Sequence, residues 1–240
     1  MNWLDAGILI LLALGALRGL RRGIGVVFVG LAGFLVALAA AAYACPRLVD
    51  AADARYGLLA RTGEFLERHV RLPVPTAAVR LAGTAPEDIQ AALEGLPVSG
   101  WVRALLLEHG PEVAAAGGDT LVSVGDVVYH VLAGYLVAVG IFVGTFILAR
   151  LVLDWLGGAI SDFLGAIPVL GGISRLAGAA LGAAERGLLA VVILGAASAF
   201  SPLAPFLDAP LAASRLAPLA LEVFRRLLPL APTLRMLLGS

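Results

Sequence analysis

The chain has 240 residues, of which 60% are hydrophobic and only 14% are charged. Soluble domains carry about 25% charged residues, so the composition excludes an ordinary soluble globular protein and predicts an all-α integral membrane protein. The net charge of zero argues against a nucleic-acid-binding protein that depends on phosphate contacts. Cys45 is the only cysteine, which excludes an intramolecular disulfide and a cysteine-based zinc cluster.

Residues 1–44 predict a transmembrane hairpin with spans at about 3–17 and 24–44. A spanning helix needs about 20 residues, and Trp3 can extend the short first span to one interface. A basic turn without any acidic residue separates the two spans, and the positive-inside rule places it in the cytoplasm. Its arginines are predicted to set this topology and to be available to anionic lipid head groups: Arg18, Arg21 and Arg22.

Two processing signals are alternatives to the hairpin. A signal peptide carries its positive charges before its apolar core, whereas here only Asp5 precedes the first apolar run. In a lipoprotein, Cys45 would end the lipobox, but Tyr43 is large for that motif and the first apolar run would have no role. The hairpin accounts for both runs.

Residues 45–126 predict an extramembrane helical insert. Leu48, Ala52, Tyr56 and Leu59 recur at helical spacing, and several prolines punctuate the segment. The insert is too apolar for a disordered segment, so we expect short helices lying on the membrane surface.

Residues 127–200 predict a second transmembrane pair, with spans at about 127–149 and 181–200. The first of these spans has no formal charge. Arg150 and Asp154 follow it at a spacing of four residues, which predicts an interfacial ion pair.

The connection between these two spans is rich in glycine. Residues 155–173 are predicted as a loop with a short interfacial segment, and Ser174 is predicted to cap the fourth helix. Residues 201–240 contain six prolines and short amphipathic stretches, which predict an amphipathic C-terminal tail.

Three parts of the chain resemble a known family. Asn2-Trp3-Leu4-Asp5, an apolar run and Arg18-Gly19-Leu20-Arg21-Arg22-Gly23 resemble the start of the CvpA family, the colicin V production proteins. Ile167-Pro168, then Ser174-Arg175-Leu176-Ala177-Gly178 and Leu181-Gly182, resemble its proline followed by Asn/Asp-Arg-Leu-x-Gly-x-x-x-Gly, with Ser174 where Asn or Asp is usual. Ser214, which follows Pro210-Leu211, resembles a recurring serine of that family.

The resemblance covers about residues 2–44 and 127–220. It implies a multi-pass protein of the bacterial cytoplasmic (inner) membrane with four spans, linked to colicin V production or export and to envelope homeostasis. The chain carries no HExxH, GxSxG or Walker A motif, so we expect a non-enzymatic protein without catalytic residues, cofactor or metal site. A channel or transporter subunit, formed by oligomerised glycine-rich helices, is the alternative, and a membrane enzyme is a third hypothesis.

Glycine pairs spaced by four residues let helix backbones approach closely. They serve either contacts with another protein or ordinary packing inside one bundle. The expected partners are the lipid bilayer and a second copy or another membrane protein, and no nucleic acid. The candidate helix-packing residues are Gly140, Gly144, Gly178 and Gly182, with a further pair at Gly15 and Gly19.

Four ionisable residues in or beside the apolar spans complete the candidate set. Asp126 and His130 lie one helical turn apart and predict either a proton relay or a helix cap with a hydrogen-bonded histidine. Glu185 and Arg186 are adjacent and therefore point to different helix faces. Arg186 shares a stripe with the glycines of the fourth span and could contact an anion or serve as an interfacial anchor.

Overall fold

The computed structural model describes residues 2–70, 103, 105–110, 123–165, 171–200 and 207–228, and these are almost entirely helical. This part of the chain therefore agrees with the all-α prediction. The helices used below are α1 (Trp3–Tyr56), α2 (Leu58–His69), α3 (Val124–Gly165), α4 (Gly171–Phe200), α5 (Asp208–Ala213) and α6 (Ala217–Leu227).

Four segments of the described helices are long and apolar enough to cross a membrane. They are Trp3–Arg21 and Ile24–Tyr56 within α1, Val124–Leu156 within α3, and Arg175–Phe200 within α4. The prediction of four such helices is therefore confirmed by length and composition, since about 20 apolar residues suffice to span the hydrocarbon core.

α1 consists of two helical arms, Trp3–Arg21 and Ile24–Tyr56, which run in opposite directions. Gly15 packs against Gly182 of α4, and Gly19 packs against Gly178, so the first arm runs antiparallel to α4. A straight helix would carry Gly30 about 16 Å further in that direction. Gly30 instead lies beside Glu185, so the chain reverses between Gly19 and Gly30.

The second arm of α1 continues to Tyr56, beyond the end at residue 44 that the sequence predicts. Pro46 lies inside the helix although proline removes one backbone hydrogen bond there. The helix ends where Gly57 adopts the left-handed conformation, with φ 58° and ψ 45°, which glycine adopts without a Cβ penalty. Asp53 then accepts a hydrogen bond from the Leu59 amide at 2.8 Å and caps α2.

The predicted loop at residues 155–173 is wrong over much of its length. α3 continues to Gly165 and α4 begins at Gly171. Each glycine costs a helix only about 1 kcal/mol relative to alanine, which the apolar helix-forming neighbours offset. The predicted cap at Ser174 is wrong, because α4 begins at Gly171 and Ser174 lies inside the helix. Residues 71–102 and 229–240 of the predicted insert and tail lie outside the described residues.

The chain divides into two compact units. Unit 1 comprises the described residues within Met1–Ala44, Phe142–Ser198 and Ala209–Leu228, and unit 2 those within Cys45–Ile141 and Ala199–Asp208. In unit 1, Phe34 packs edge-on against Phe146, and Phe142 edge-on against Phe224, at centroid distances of 5.0 and 5.8 Å. Apolar side chains such as Leu66, Val127 and Val128 are buried in unit 2.

In unit 2, two hydrogen bonds from side chains to carbonyl oxygens connect separate helical segments. The Cys45 thiol donates to the carbonyl oxygen of Ala138 at 3.5 Å, and the Tyr129 hydroxyl donates to that of Val70 at 2.9 Å. Cys45 is fully buried, so it behaves here as a small packing residue with a weak donor.

Candidate functional site

Arg150 connects three helical segments of unit 1. Its Nη2 lies 3.0 Å from Glu185 Oε1 on α4, and its Nη1 donates to the carbonyl oxygen of Gly30 on α1 at 2.8 Å. Its Nε lies 3.1 Å from Asp154 Oδ2, which is the ion pair that the sequence predicts. Each of the three guanidinium nitrogens thus has a partner, as is usual for a charged group within an apolar helix bundle.

The two carboxylates that share Arg150 have different surroundings. The Glu185 side chain is 20% exposed, whereas that of Asp154 is 58% exposed. The Arg150 guanidinium also lies 5.9 Å from the centroid of the Phe34 ring, at cation–π distance. The contact with Glu185 is therefore the one that water screens least, and it joins α3 to α4.

A cavity of about 370 Å³ adjoins this cluster in unit 1. Glycines of the first arm of α1 and of α4, and valines of the second arm of α1, are among the residues that line it. Five charged side chains line it, from the first arm of α1, from α3 and from α4: Arg18, Arg150, Asp154, Glu185 and Arg186.

The glycines at 15, 19, 178 and 182 form the closest helix contact described in unit 1. A Cβ atom on Gly19 would collide with the carbonyl oxygen of Gly178, and one on Gly15 with that of Gly182. The same position at Gly15 would also meet Cγ of Arg186. Only glycine fits here, because the backbones themselves are in contact.

Gly140 and Gly144 are placed differently. Both are exposed, and a Cβ atom added at either would have no atom within 4 Å. The pair Gly178 and Gly182 therefore packs inside the chain, while Gly140 and Gly144 make no such contact with the described residues.

A second polar cluster lies near the beginning of α1. Asp5 is buried, and its Oδ1 accepts a hydrogen bond from the Ser214 hydroxyl at 2.5 Å and from the Leu216 amide at 3.3 Å. Ser214 Oγ in turn accepts from the amide of Ala217, the first residue of α6, at 2.9 Å. A carboxylate at a helix N-terminus is favoured by the helix dipole.

Two further contacts hold the same region together. The Asn2 amide side chain donates to the carbonyl oxygen of Pro210 in α5 at 2.7 Å. A Cβ atom on Gly195 of α4 would collide with the Phe224 ring of α6. The N-terminal arm and α4 therefore fix the position of α6 on unit 1.

Asp126 and His130 lie at the beginning of α3, in unit 2. The Ser123 amide donates to Asp126 Oδ2 at 2.9 Å, and the Asp126 amide donates to Ser123 Oγ at 3.2 Å. This reciprocal pair is a capping box, which is the simpler of the two predicted roles. His130 is partly buried, and its Nε2 has no hydrogen-bond partner in the described part of the chain.

The predicted topology residues lie at the turn of α1. Arg18 and Arg21 are exposed, whereas the side chain of Arg22 lies outside the described residues. Arg18 lines the cavity and Arg21 does not. The two arginines, which have the same predicted role, therefore have different surroundings.

Sequence reasoning missed the partners of two charged residues. Asp5 contacts a serine 209 positions away, and Arg150 contacts a glutamate 35 positions away. For Asp5 a signal was present, because it is the only charged residue in the first apolar run. A buried charge needs a partner, and that requirement points to a polar residue elsewhere in the chain.

Within the described residues, these features define a class: helical proteins with four helices able to cross a membrane, held together by glycine packing and engaged polar side chains. The candidate membrane-spanning helices indicate a multi-pass membrane protein. Comparison with protein-family models, curated proteins and solved structures finds no match.

Proposed function

We propose that this chain is a non-enzymatic, multi-pass protein of the bacterial cytoplasmic (inner) membrane, similar to the CvpA family, with a role in colicin V production or export or in envelope homeostasis. In this proposal the polar side chains of the bundle have a structural role. The protein then acts through the surface that the bundle presents to the bilayer and to other membrane proteins.

One observation supports this proposal most directly. The separate segments that carry the resemblance contact one another: Asp5 with Ser214, Gly19 with Gly178, and Gly15 with Gly182. Through these contacts the motif residues hold α1, α4 and the C-terminal segment that includes Ser214 together. None of the three contacts needs a bound substrate.

The test is complementation in a bacterial strain that lacks the gene for this chain. We expect that strain to lose export of a peptide toxin, or to admit an envelope-impermeant dye, and the intact gene to restore the wild-type behaviour. Gly19→Leu should fail to restore it, whereas Gly7→Leu, on an open face of the same arm, should succeed. Normal toxin export and dye exclusion in the deletion strain would refute the proposal.

A channel formed by several copies is the second candidate, because Gly140 and Gly144 are open and could pack against another copy. Ion flux through liposomes containing the purified chain tests it. Flux abolished by Gly144→Leu would favour a channel over a scaffold. Absence of flux from folded, inserted protein would exclude the channel.

A further inference from the structure

The arginines around the unit 1 cavity are not equivalent. Arg150 is engaged by Glu185, Asp154 and the Gly30 carbonyl oxygen. Arg18 and Arg186 also line the cavity, and neither has an ion-pair or hydrogen-bond partner in the described part of the chain. The lining carries three positive and two negative charges, so its net charge is positive. Both carboxylates contact Arg150, so Arg18 and Arg186 carry the positive charges that no carboxylate of the lining contacts.

The shape of the cavity suits a ligand with one charged end. Gly15, Gly19 and Gly182 are among the lining residues and add no side chains of their own to the cavity. Val26 and Val29 also line it and offer apolar surface. A volume of about 370 Å³ lies within the range of small-ligand sites.

We propose that this cavity binds a phosphate group of an anionic ligand, with Arg18 and Arg186 as the two binding residues. Guanidinium groups pair with phosphate through strong, charge-assisted hydrogen bonds. An anionic phospholipid head group would place its phosphate between the two arginines and its apolar part along the valine wall. A soluble phosphate compound shares the same chemistry and is distinguished by the experiment. The site does not depend on a role in toxin export.

The experiment uses the full chain, purified and delipidated in detergent, with native mass spectrometry to count bound ligand. The probes are dioctanoyl phosphatidylglycerol, dioctanoyl phosphatidylcholine and inorganic phosphate. We expect the anionic lipid to bind more tightly than the zwitterionic one. Arg186→Gln and Arg18→Gln should each weaken its binding about fivefold, from the usual contribution of an arginine near an anionic head group.

Matched controls separate this site from general surface charge. Arg21→Gln removes a neighbouring exposed arginine outside the cavity and should weaken binding at most about twofold. Gly33→Val narrows the cavity beside Arg150 but keeps every arginine, and should weaken binding. Gly25→Val adds the same side chain to an open position of the same arm, and should bind like the unmodified chain.

The outcomes decide the proposal. Displacement of the lipid by equimolar inorganic phosphate supports a soluble phosphate ligand, and resistance to displacement supports a lipid. An equal loss in Arg21→Gln and Arg186→Gln would overturn the site, as would equal binding of the two lipids or full binding to a folded Gly33→Val variant.

Discussion

Replacing Gly19 with alanine is expected to destabilise the helix bundle, although alanine favours helices. The new methyl group would collide with the carbonyl oxygen of Gly178, whereas a carbon normally lies about 3.3–3.6 Å from a carbonyl oxygen. The two helices must therefore separate to make room for it. Overpacking of this kind costs about 1–3 kcal/mol, and in lipid no hydrophobic force drives the helices back together.

The same substitution at Gly7 is a matched control, and it should stabilise the helix instead of destabilising it. Gly7 lies in the same arm, and a Cβ atom there meets nothing within 4 Å. Gly7→Ala should gain the helix propensity of alanine, up to about 1 kcal/mol. At Gly19 the same gain is subtracted from the packing cost, which leaves a net loss of up to about 2 kcal/mol.

The free energy of unfolding can be measured by titrating the purified chain from mild detergent into SDS and following tryptophan fluorescence. Gly19→Ala should unfold at a lower SDS fraction than the unmodified chain, and Gly7→Ala at an equal or higher fraction. If Gly19→Ala proved as stable as Gly7→Ala, the close backbone contact would be refuted.

Three further substitutions test the polar contacts. Ser214→Ala should lower the free energy of unfolding by about 1–3 kcal/mol, because Asp5 loses its hydroxyl donor. Trypsin should then cleave the C-terminal helix α6 faster, and an unchanged cleavage rate would contradict the contact. In the same SDS titration, Glu185→Gln should lower the free energy of unfolding by about 2 kcal/mol and Asp154→Asn by less than about 0.5 kcal/mol. The reason is that the Glu185 side chain is mostly shielded from water and the Asp154 side chain is not. Equal losses would contradict this ranking. Ser123→Ala should lower the stability of α3 by about 1 kcal/mol, because the helix loses its capping hydroxyl. Hydrogen exchange of the amides in the first turn of α3 should become faster, and unchanged protection there would argue against the capping box.

The helical content and the number of apolar helices were accessible from the sequence. Long runs of apolar residues bounded by arginine predict such helices from length alone. The ion pair of Arg150 with Asp154 was also accessible, because a spacing of four residues places two side chains on one helix face. Such features depend only on neighbours along the chain.

Contacts between segments were not accessible in the same way. The glycines at 178 and 182 pack inside the bundle while those at 140 and 144 are open, yet the two pairs have the same spacing. In helices that are apolar on every face, sequence periodicity does not indicate which face meets another helix. The choice among equivalent glycine pairs is therefore made by the whole bundle.

The sequence alone determined that this chain forms apolar helices joined by a basic turn, because hydrophobic length and charge act locally. The tertiary structure decided that Glu185 faces Arg150 and that Asp5 binds Ser214. It also decided that Arg18 and Arg186 line one cavity without a partner in the described part of the chain. The physical reason is that burying an unpaired charge is costly. Its partner must be close in space, and that partner can lie at any distance along the sequence.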